Sequence, residues 1–430
     1  MTSPSAPASV SDGLATALVP VLGAPVEIAA LRKLTGGASR ETWSFTANGE
    51  PLVLRRDPPQ RPGHPGAMQR EANVMRACTR AGLRAPEVLL DDDGTFLGTT
   101  GLVMRHVDGE TIARRILRDD EYAVARTVLV RQLAEFLAGL HALDPDDVPG
   151  TESPDPMAIW DKYQRLDQRS AVFDRTHDWL QAHRPPHTAD ALIHGDLRMG
   201  NIIVRPDGLA AVIDWELVHR GDPHEDLAWL CLKAWRFGQP FEVGGLGSID
   251  ELVAAYEGAA GRTIDRDTLR WWLVAKTFTW GVGCMLQGDT HLSGRVRSVD
   301  LAAVGRRTAE QEWDLVELLA PDACAAARAA PPAAQLPDDD RYGRPTAREL
   351  LDAVREFLSE RVATSDDRGL AYEARVAANI LATVARELAQ EHVERTLDGA
   401  GDDWETLALI VRDRLAVASP KHASLPPTLP

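Results

Sequence analysis

ALIHGDLRMGNIIVRPDGLAAVIDWELVHRGDPHEDLAW, residues 191–229, is the stretch whose reading decides the fold. Two short apolar runs, Ala191–Ile193 and Asn201–Val204, flank the polar loop His194–Gly200. A third run, Ala210–Ile213, follows the turn Pro206-Asp207-Gly208 and ends in Asp214. A Pro-Asp-Gly turn between β-rich runs signals a hairpin, because proline presets φ and glycine supplies conformations that other residues avoid. Such a hairpin gathers Asp196, Asn201 and Asp214 at one mouth. Two carboxylates and an amide oxygen are hard donors of the kind that suit Mg²⁺, which completes its octahedron with water and substrate phosphates. Asp196 lies five residues before Asn201 (201 − 196 = 5), and Asp214 follows thirteen later (214 − 201 = 13). The catalytic loop of protein kinases uses the same Asp-to-Asn spacing ahead of a metal-binding aspartate.

The blocks HGDLRMGN and IDWELVHRGDPHEDLAW together resemble the aminoglycoside phosphotransferase and choline-kinase-like family, the small-molecule branch of the protein-kinase-like fold. There His-Gly-Asp replaces the His-Arg-Asp of protein kinases, and Ile-Asp-Trp/Phe-Glu replaces Asp-Phe-Gly. A lone Asp-x-x-x-x-Asn carries little weight, whereas two blocks in the right order and spacing carry much. The bland reading, a polar hairpin with incidental carboxylates, requires both to coincide by chance. The resemblance implies an α+β, bilobal fold with an antiparallel-sheet N-lobe over 13–107 and a mainly helical C-lobe over 108–320. It implies that Asp196 accepts or orients the proton of an acceptor hydroxyl and that Asn201 and Asp214 hold Mg²⁺. His194 would brace the loop, and Asp226 would support it from below. Glu216 either reaches the metal through water or caps the loop.

Composition sets outer limits. The chain has 430 residues, 44% of them hydrophobic and 26% charged, an ordinary globular mixture with room for more than one domain. Its net charge of −17 argues against a nucleic-acid footprint, which needs a basic face. Cys78, Cys231, Cys284 and Cys324 are scattered without a Cys-x-x-Cys pair, which points to reduced thiols and a cytoplasmic setting. Residues 1–12 lack the basic start and apolar core of a secretion signal, and no apolar run is long enough to span a membrane.

Upstream of the central stretch the chain reads as hairpins and a helix. Residues 1–12 are Ser/Ala/Pro-rich and expected to be disordered, and a short helix is expected over 12–22. Val26–Leu34 and Glu41–Thr46 flank Thr35-Gly36-Gly37-Ala38-Ser39-Arg40; by the resemblance, Gly36, Gly37 and Ser39 would lie over ATP phosphates. In the strand Pro51–Arg56, alternation places Val53 and Arg55 on one face and Arg56 on the other. The resemblance makes Val53 and Arg55 the nucleotide-facing pair, although kinases carry lysine where this chain carries Arg55. Similar arginines occur in the branch resembling the kinase domain of acyl-CoA dehydrogenases. A helix from Met68 carries Glu71, expected to pair with Arg55. The second strand of the next hairpin, Thr99–Met104, runs into Arg105, His106 and Val107, the expected hinge whose backbone reads the adenine edge.

Downstream, Leu129–His141 is an amphipathic helix with Leu133, Phe136, Leu137 and Leu140 on one stripe, and His141 reads as a packing residue. A Trp-rich helix over 267–287 would wall the acceptor side, with Trp280 and Gln287 as pocket candidates. Residues 321–343 form an Ala/Pro/Asp linker, and 344–418 a three-helix domain that opens on the capping box Thr346–Glu349. Residues 419–430 are expected to be a disordered tail. The domain resembles an uncharacterised helical domain trailing such phosphotransferases, and a homodimer or protein-partner contact is expected of it.

The sequence therefore points to an ATP- and Mg²⁺-dependent phosphotransferase with a small-molecule hydroxyl acceptor, and to neither nucleic acid nor membrane as partner. A hydroxylated metabolite or hydroxyacyl thioester is favoured, with an aminoglycoside as an option. The alternative is a catalytically silent nucleotide-binding scaffold acting through its C-terminal helices. The intact Asp196, Asn201 and Asp214 speak against it.

Overall fold

A computed structural model describes residues 6–34, 40–60, 63–64, 66–186, 190–341, 343–393, 395 and 403–428. In chain order come α1 (Ala6–Ala17), α2 (Val19–Leu22), β1 (Ile28–Lys33), β2 (Glu41–Ala47), β3 (Glu50–Arg56), α3 (Ala67–Arg80), β4 (Val88–Asp92) and β5 (Gly101–Arg105). Next are α4 (Ala113–Arg118), α5 (Ala123–His141), α6 (Ile159–Gln164), α7 (Ala171–Ala182), β6 (Ala191–Ile193), β7 (Ile202–Arg205), β8 (Gly208–Val212), β9 (His219–Gly221) and α8 (His224–Leu230). Helices close the chain: α9 (Ile249–Ala260), α10 (Arg266–Leu292), α11 (Val299–Arg306), α12 (Thr308–Leu319), α13 (Pro321–Ala329), α14 (Ala347–Phe357), α15 (Arg368–Ala389) and α16 (Trp404–Ala418). This is the expected α+β, kinase-like inventory. The chain forms two compact units, one of Met1–Pro154, His187–Leu230 and Leu246–Ile264, the other of Asp155–Pro186, Cys231–Gly245 and Asp265–Pro430.

In the first unit an antiparallel sheet of order β1-β2-β3-β5-β4 carries the N-lobe. The β2–β3 turn is Asn48-Gly49, with φ of 51° and 85°. A two-residue turn with both φ positive twists in the same sense as its strands, which is why Asn-Gly suits it. α1 lays Val10 and Leu14, with Leu18 just beyond its end, onto Phe45, Leu52, Leu54 and Val103 of the sheet. Leu14 and Leu18 are fully buried, each burial being worth roughly 1.5–3 kcal/mol. That packing explains why the helix begins at Ala6, within the Ser/Ala/Pro-rich stretch expected to lack structure. Gly13 lets it approach, since a Cβ there would collide with the carbonyl oxygen of Phe96.

The second unit is helical, and α12 runs through it with Ala309 to Leu318 all buried. The helix carries four buried carboxylates, and each is met by a partner. Glu310 takes Arg307 (2.9 Å), and Glu312 takes Ser170 Oγ (2.6 Å) and Arg414 (3.2 Å). Asp314 takes His422 (2.7 Å), and Glu317 takes Lys233 (2.7 Å). A buried charge is tolerable only when paired, so these acids recruit the segments that pair with them. The tail is ordered over 419–428 for this reason: besides His422, the carbonyl of Pro426 and the hydroxyl of Thr428 accept hydrogen bonds from buried Arg236. The linker expected over 321–343 begins with α13, whose Arg328 also reaches Glu317. Among the described residues no helix is long and apolar enough to cross a membrane.

α14 starts where the capping box announced it, with Thr346 Oγ1 accepting from Glu349 N–H and Glu349 Oε2 from Thr346 N–H. Thr346→Ala is expected to cost about 1 kcal/mol and to speed hydrogen exchange in the first turn of α14, read by mass spectrometry, while other helices keep their protection.

Candidate active site

The site begins with two short antiparallel strand pairs. β6 pairs antiparallel with β9, and β7 with β8, so His194–Asn201 and Ile213–Val218 lie side by side. Ile213 N–H donates to the Asn201 carbonyl at 2.9 Å, seating Asp214 next to Asn201. Gly195 has φ +79°, and a Cβ would stand 2.7 Å from the Leu217 carbonyl oxygen, so no other residue fits this turn without strain.

Asp226, on α8, holds the loop from within. Its fully buried carboxylate accepts the backbone N–H groups of His194 (2.8 Å) and Gly195 (2.9 Å) and the ring of His141 (3.3 Å). Burial opposes the charge, but the His141 bond, the His141 and His194 rings and the backbone N–H win, leaving its pKa below the usual carboxylate value. His141 is in turn held by Tyr256 at 2.9 Å, so its ring is satisfied on both sides.

His194 links the two halves of the site. Its Nδ1 accepts the N–H of Asp196 (3.2 Å), which leaves the proton on Nε2, donated to the Ile213 carbonyl (3.1 Å). Complete burial pushes its pKa down and keeps the ring neutral, as that tautomer requires. Trp215 packs on the ring, with centroids 4.6 Å apart.

The Asp196 carboxylate is fixed by three side chains: Asn201 Nδ2 (2.6 Å), Trp229 Nε1 (2.9 Å) and Arg198 Nε (3.1 Å). Because the Asn201 amide nitrogen faces Asp196, its oxygen is turned away from that carboxylate. Asp214 sits in left-handed backbone, φ 69° and ψ 63°, with its side chain partly exposed. The Asn201 amide oxygen and the Asp214 carboxylate are hard donors that fit Mg²⁺ as its few protein ligands.

The cations are wired differently from expectation. Glu71 on α3, fully buried, is held by Arg40 through Oε1. Arg55 comes only to 3.7 Å of its Oε2, and instead bonds Asp214 Oδ1 at 2.7 Å. So the expected Glu71–Arg55 pair is a loose contact and Arg40 takes its place. Burial pushes the Glu71 carboxyl up, with both arginines pulling against it. Burial likewise opposes the charge on Arg55, but Asp214, Glu71 and Glu216 outweigh it and raise the pKa of the guanidinium. Val53 shares the Arg55 face, opposite Ser44 and Met104. Arg56 points the other way, to Glu41 (2.8 Å).

At the expected hinge, Arg105 N–H is taken by the Glu87 carbonyl (2.9 Å) and His106 N–H by the Pro51 carbonyl (3.1 Å). Neither amide is left for a ligand. The Arg105 side chain pairs with Glu50 and Glu87, and His106 lies 3.3 Å from Asp108. Gly36, Gly37 and Ser39 lie outside the described residues. Trp280 and Gln287 are on α10, in the second unit. Three site residues escaped the sequence reading, Arg198 among them although it lies inside the quoted loop. Trp229 stands one turn beyond Asp226 on α8, a spacing that could have flagged it, while Arg40 offered no signal beyond following the glycines.

Asp226→Asn is expected to cost about 3 kcal/mol at neutral pH, since the amide has one acceptor oxygen for a site that needs more. The folded pKa is depressed, so this contribution is present above the unfolded value and lost as pH falls through the folded one. Melting temperatures of wild type and variant should therefore keep their gap down to about pH 4 and converge below it.

The model of the phosphotransferase enzyme family, APH, matches residues 30–272. Acyl-CoA dehydrogenase family member 10 of Mus musculus is 30% identical over 211 residues, 46% of this chain and 20% of that protein. Acyl-CoA dehydrogenase family member 11 of Gallus gallus is 29% identical over 285 residues, 59% of this chain and 36% of that protein. Viomycin phosphotransferase of Streptomyces vinaceus is 31% identical over 176 residues, 36% of this chain and 59% of that one. The chain thus spans between a fifth and about a third of the length of these dehydrogenase relatives. Among solved structures, a Ralstonia eutropha protein assigned to the aminoglycoside phosphotransferases aligns with a TM-score of 0.57 at 19% identity, over 70% of this chain and 95% of that one. Aminoglycoside 2′-phosphotransferase-IIIa, solved as its GDP complex, aligns with a TM-score of 0.50 at 17% identity, over 69% of this chain and 96% of that one. At these identities the structures speak for the fold.

Proposed function

Because the chain belongs to the phosphotransferase enzyme family, we propose that it transfers the γ-phosphoryl group of ATP to a hydroxyl of a small molecule, with Mg²⁺ as cofactor. The observation that carries this reading is the fixed Asp196 carboxylate beside Asn201, with Asp214 alongside. Asp196 accepts or orients the acceptor hydroxyl proton, and the Trp229, Arg198 and Asn201 donors hold it in one orientation. Asn201 and Asp214 would hold the cation, which supplies charge neutralisation at the phosphates. Arg55 is within reach of the same place. Among the hinge N–H groups, that of Val107 is the one proposed for the adenine edge, since the amides of Arg105 and His106 are engaged. Phosphoryl transfer asks little covalent chemistry of a protein, and positioning and charge are what this site offers.

For the acceptor, the acyl-CoA dehydrogenase relatives support a hydroxyacyl thioester or related hydroxylated metabolite, while viomycin phosphotransferase keeps an antibiotic open. The C-terminal helices are assigned to a homodimer or partner contact, supported by exposed Leu350, Val354 and Phe357 along α14.

The test is phosphoryl transfer from labelled ATP to hydroxyacyl thioesters and aminoglycosides, read by mass spectrometry. Wild type should give a phosphorylated product, and Asp214→Ala none. Asp196→Asn should lower kcat by about 10²-fold or more, the usual worth of a positioned base, with ATP affinity retained. A product that persists in Asp196→Asn at wild-type rate would remove the base assignment.

A further inference from the structure

The wiring of Glu71 differs from the kinase pattern in a way that assigns work to Arg40. In protein kinases a single strand cation pairs with the helix glutamate and must be in place for transfer. Here two arginines share the task. Arg40 is nearly buried and gripped from two sides, with Glu71 on one and Asp57 at 3.4 Å on the other. Asp57 is itself fixed, since its Oδ2 accepts from Thr100 Oγ1 (2.6 Å) and Gly63 N–H (2.9 Å). Arg40 therefore has little freedom to leave Glu71.

Arg55 is placed the other way round. Its contact with Glu71 is 3.7 Å and makes no hydrogen bond, and Glu71 Oε2 has none among the described residues. Its contact with Asp214 is 2.7 Å. A fully buried carboxylate with only one cation in reach would claim that cation. Two cations let the inner one satisfy Glu71 and leave the outer one for other anions.

We propose that Arg40 is a positioning residue that neutralises Glu71, so that Arg55 is released to serve as a cation shared between Asp214 and a bound polyphosphate. This rests on the reading of the site as nucleotide-binding. Without Arg40, Glu71 would draw the Arg55 fork inward, and the site would lose its mobile positive charge. Arg40 itself need not touch the ligand.

The experiment measures affinity for AMP-PNP by calorimetry in Mg²⁺ buffer for wild type, Arg40→Lys, Arg40→Met and Arg40→Met/Glu71→Gln. Arg40→Met should weaken binding about tenfold or more, the worth of one charge-assisted hydrogen bond, and raise KM for ATP more than it lowers kcat. Arg40→Lys, which keeps the charge, should stay nearer wild type. The double variant has no buried anion to satisfy and should recover to within about threefold of wild type. A role in holding the fold alone would lower the melting temperature of Arg40→Met but leave the AMP-PNP affinity of the folded variant at the wild-type value. Binding by Arg40→Met within about twofold of wild type would overturn the proposal, as would a double variant no better than the single one. If Arg40→Met does not fold, a folded double variant with near-wild-type affinity supports the proposal, and one more than about tenfold weaker overturns it. A folded wild type that does not bind AMP-PNP would instead overturn the nucleotide reading beneath it.

Discussion

The Asp226 carboxylate is the fixed point from which the first unit's chemistry is built. Taking a carboxylate out of water costs several kcal/mol. The charge-assisted bonds from His194, Gly195 and His141, each worth about 1.5–3 kcal/mol, offset it. Because two of those donors are backbone amides of the His194–Asn201 loop, offsetting the burial and shaping the loop are one act. His194 then carries the order outward, from Asp196 on one side of its ring to the strand end before Asp214 on the other.

Charge is used the same way elsewhere, with a different outcome. On α12 a row of buried acids draws in residues remote in sequence, from Ser170 and Lys233 to His422. In the first unit the acids Glu71 and Asp214 divide two arginines between them. One network gives every acid a partner, with Lys233 and His422 each shared between two of them. The other leaves Arg55 on a partly exposed carboxylate.

How much of this was legible depended on how local the cause was. The hairpin mouth could be read because turn chemistry and spacing are properties of a few neighbouring residues, and so could the Thr346–Glu349 cap. Arg55 and Arg56 were sorted onto opposite faces by strand alternation alone. The Glu71 partner could not be read, since Arg40 stands just before β2 and Arg55 on the neighbouring β3, and only side-chain reach separates them. A helix was expected over 12–22, but the start of α1 was missed because its composition is poor while Val10 and Leu14, with Leu18 beyond them, have a sheet to cover. The tail was misjudged for a related reason: its anchors, His422 and Thr428, look unremarkable until α12 supplies the charge they answer.

That anchoring bears on how the molecule could be taken apart. The family match ends at residue 272, and the Ala/Pro-rich stretch after Leu319 invites a cut there. A protein shortened at that point would keep α12 but lose Arg328, Arg414 and His422, leaving Glu317, Glu312 and Asp314 with fewer counter-charges. Within the second unit, α12 and the segments that follow it thus share their charges, and a cut between them would separate acids from the bases that neutralise them.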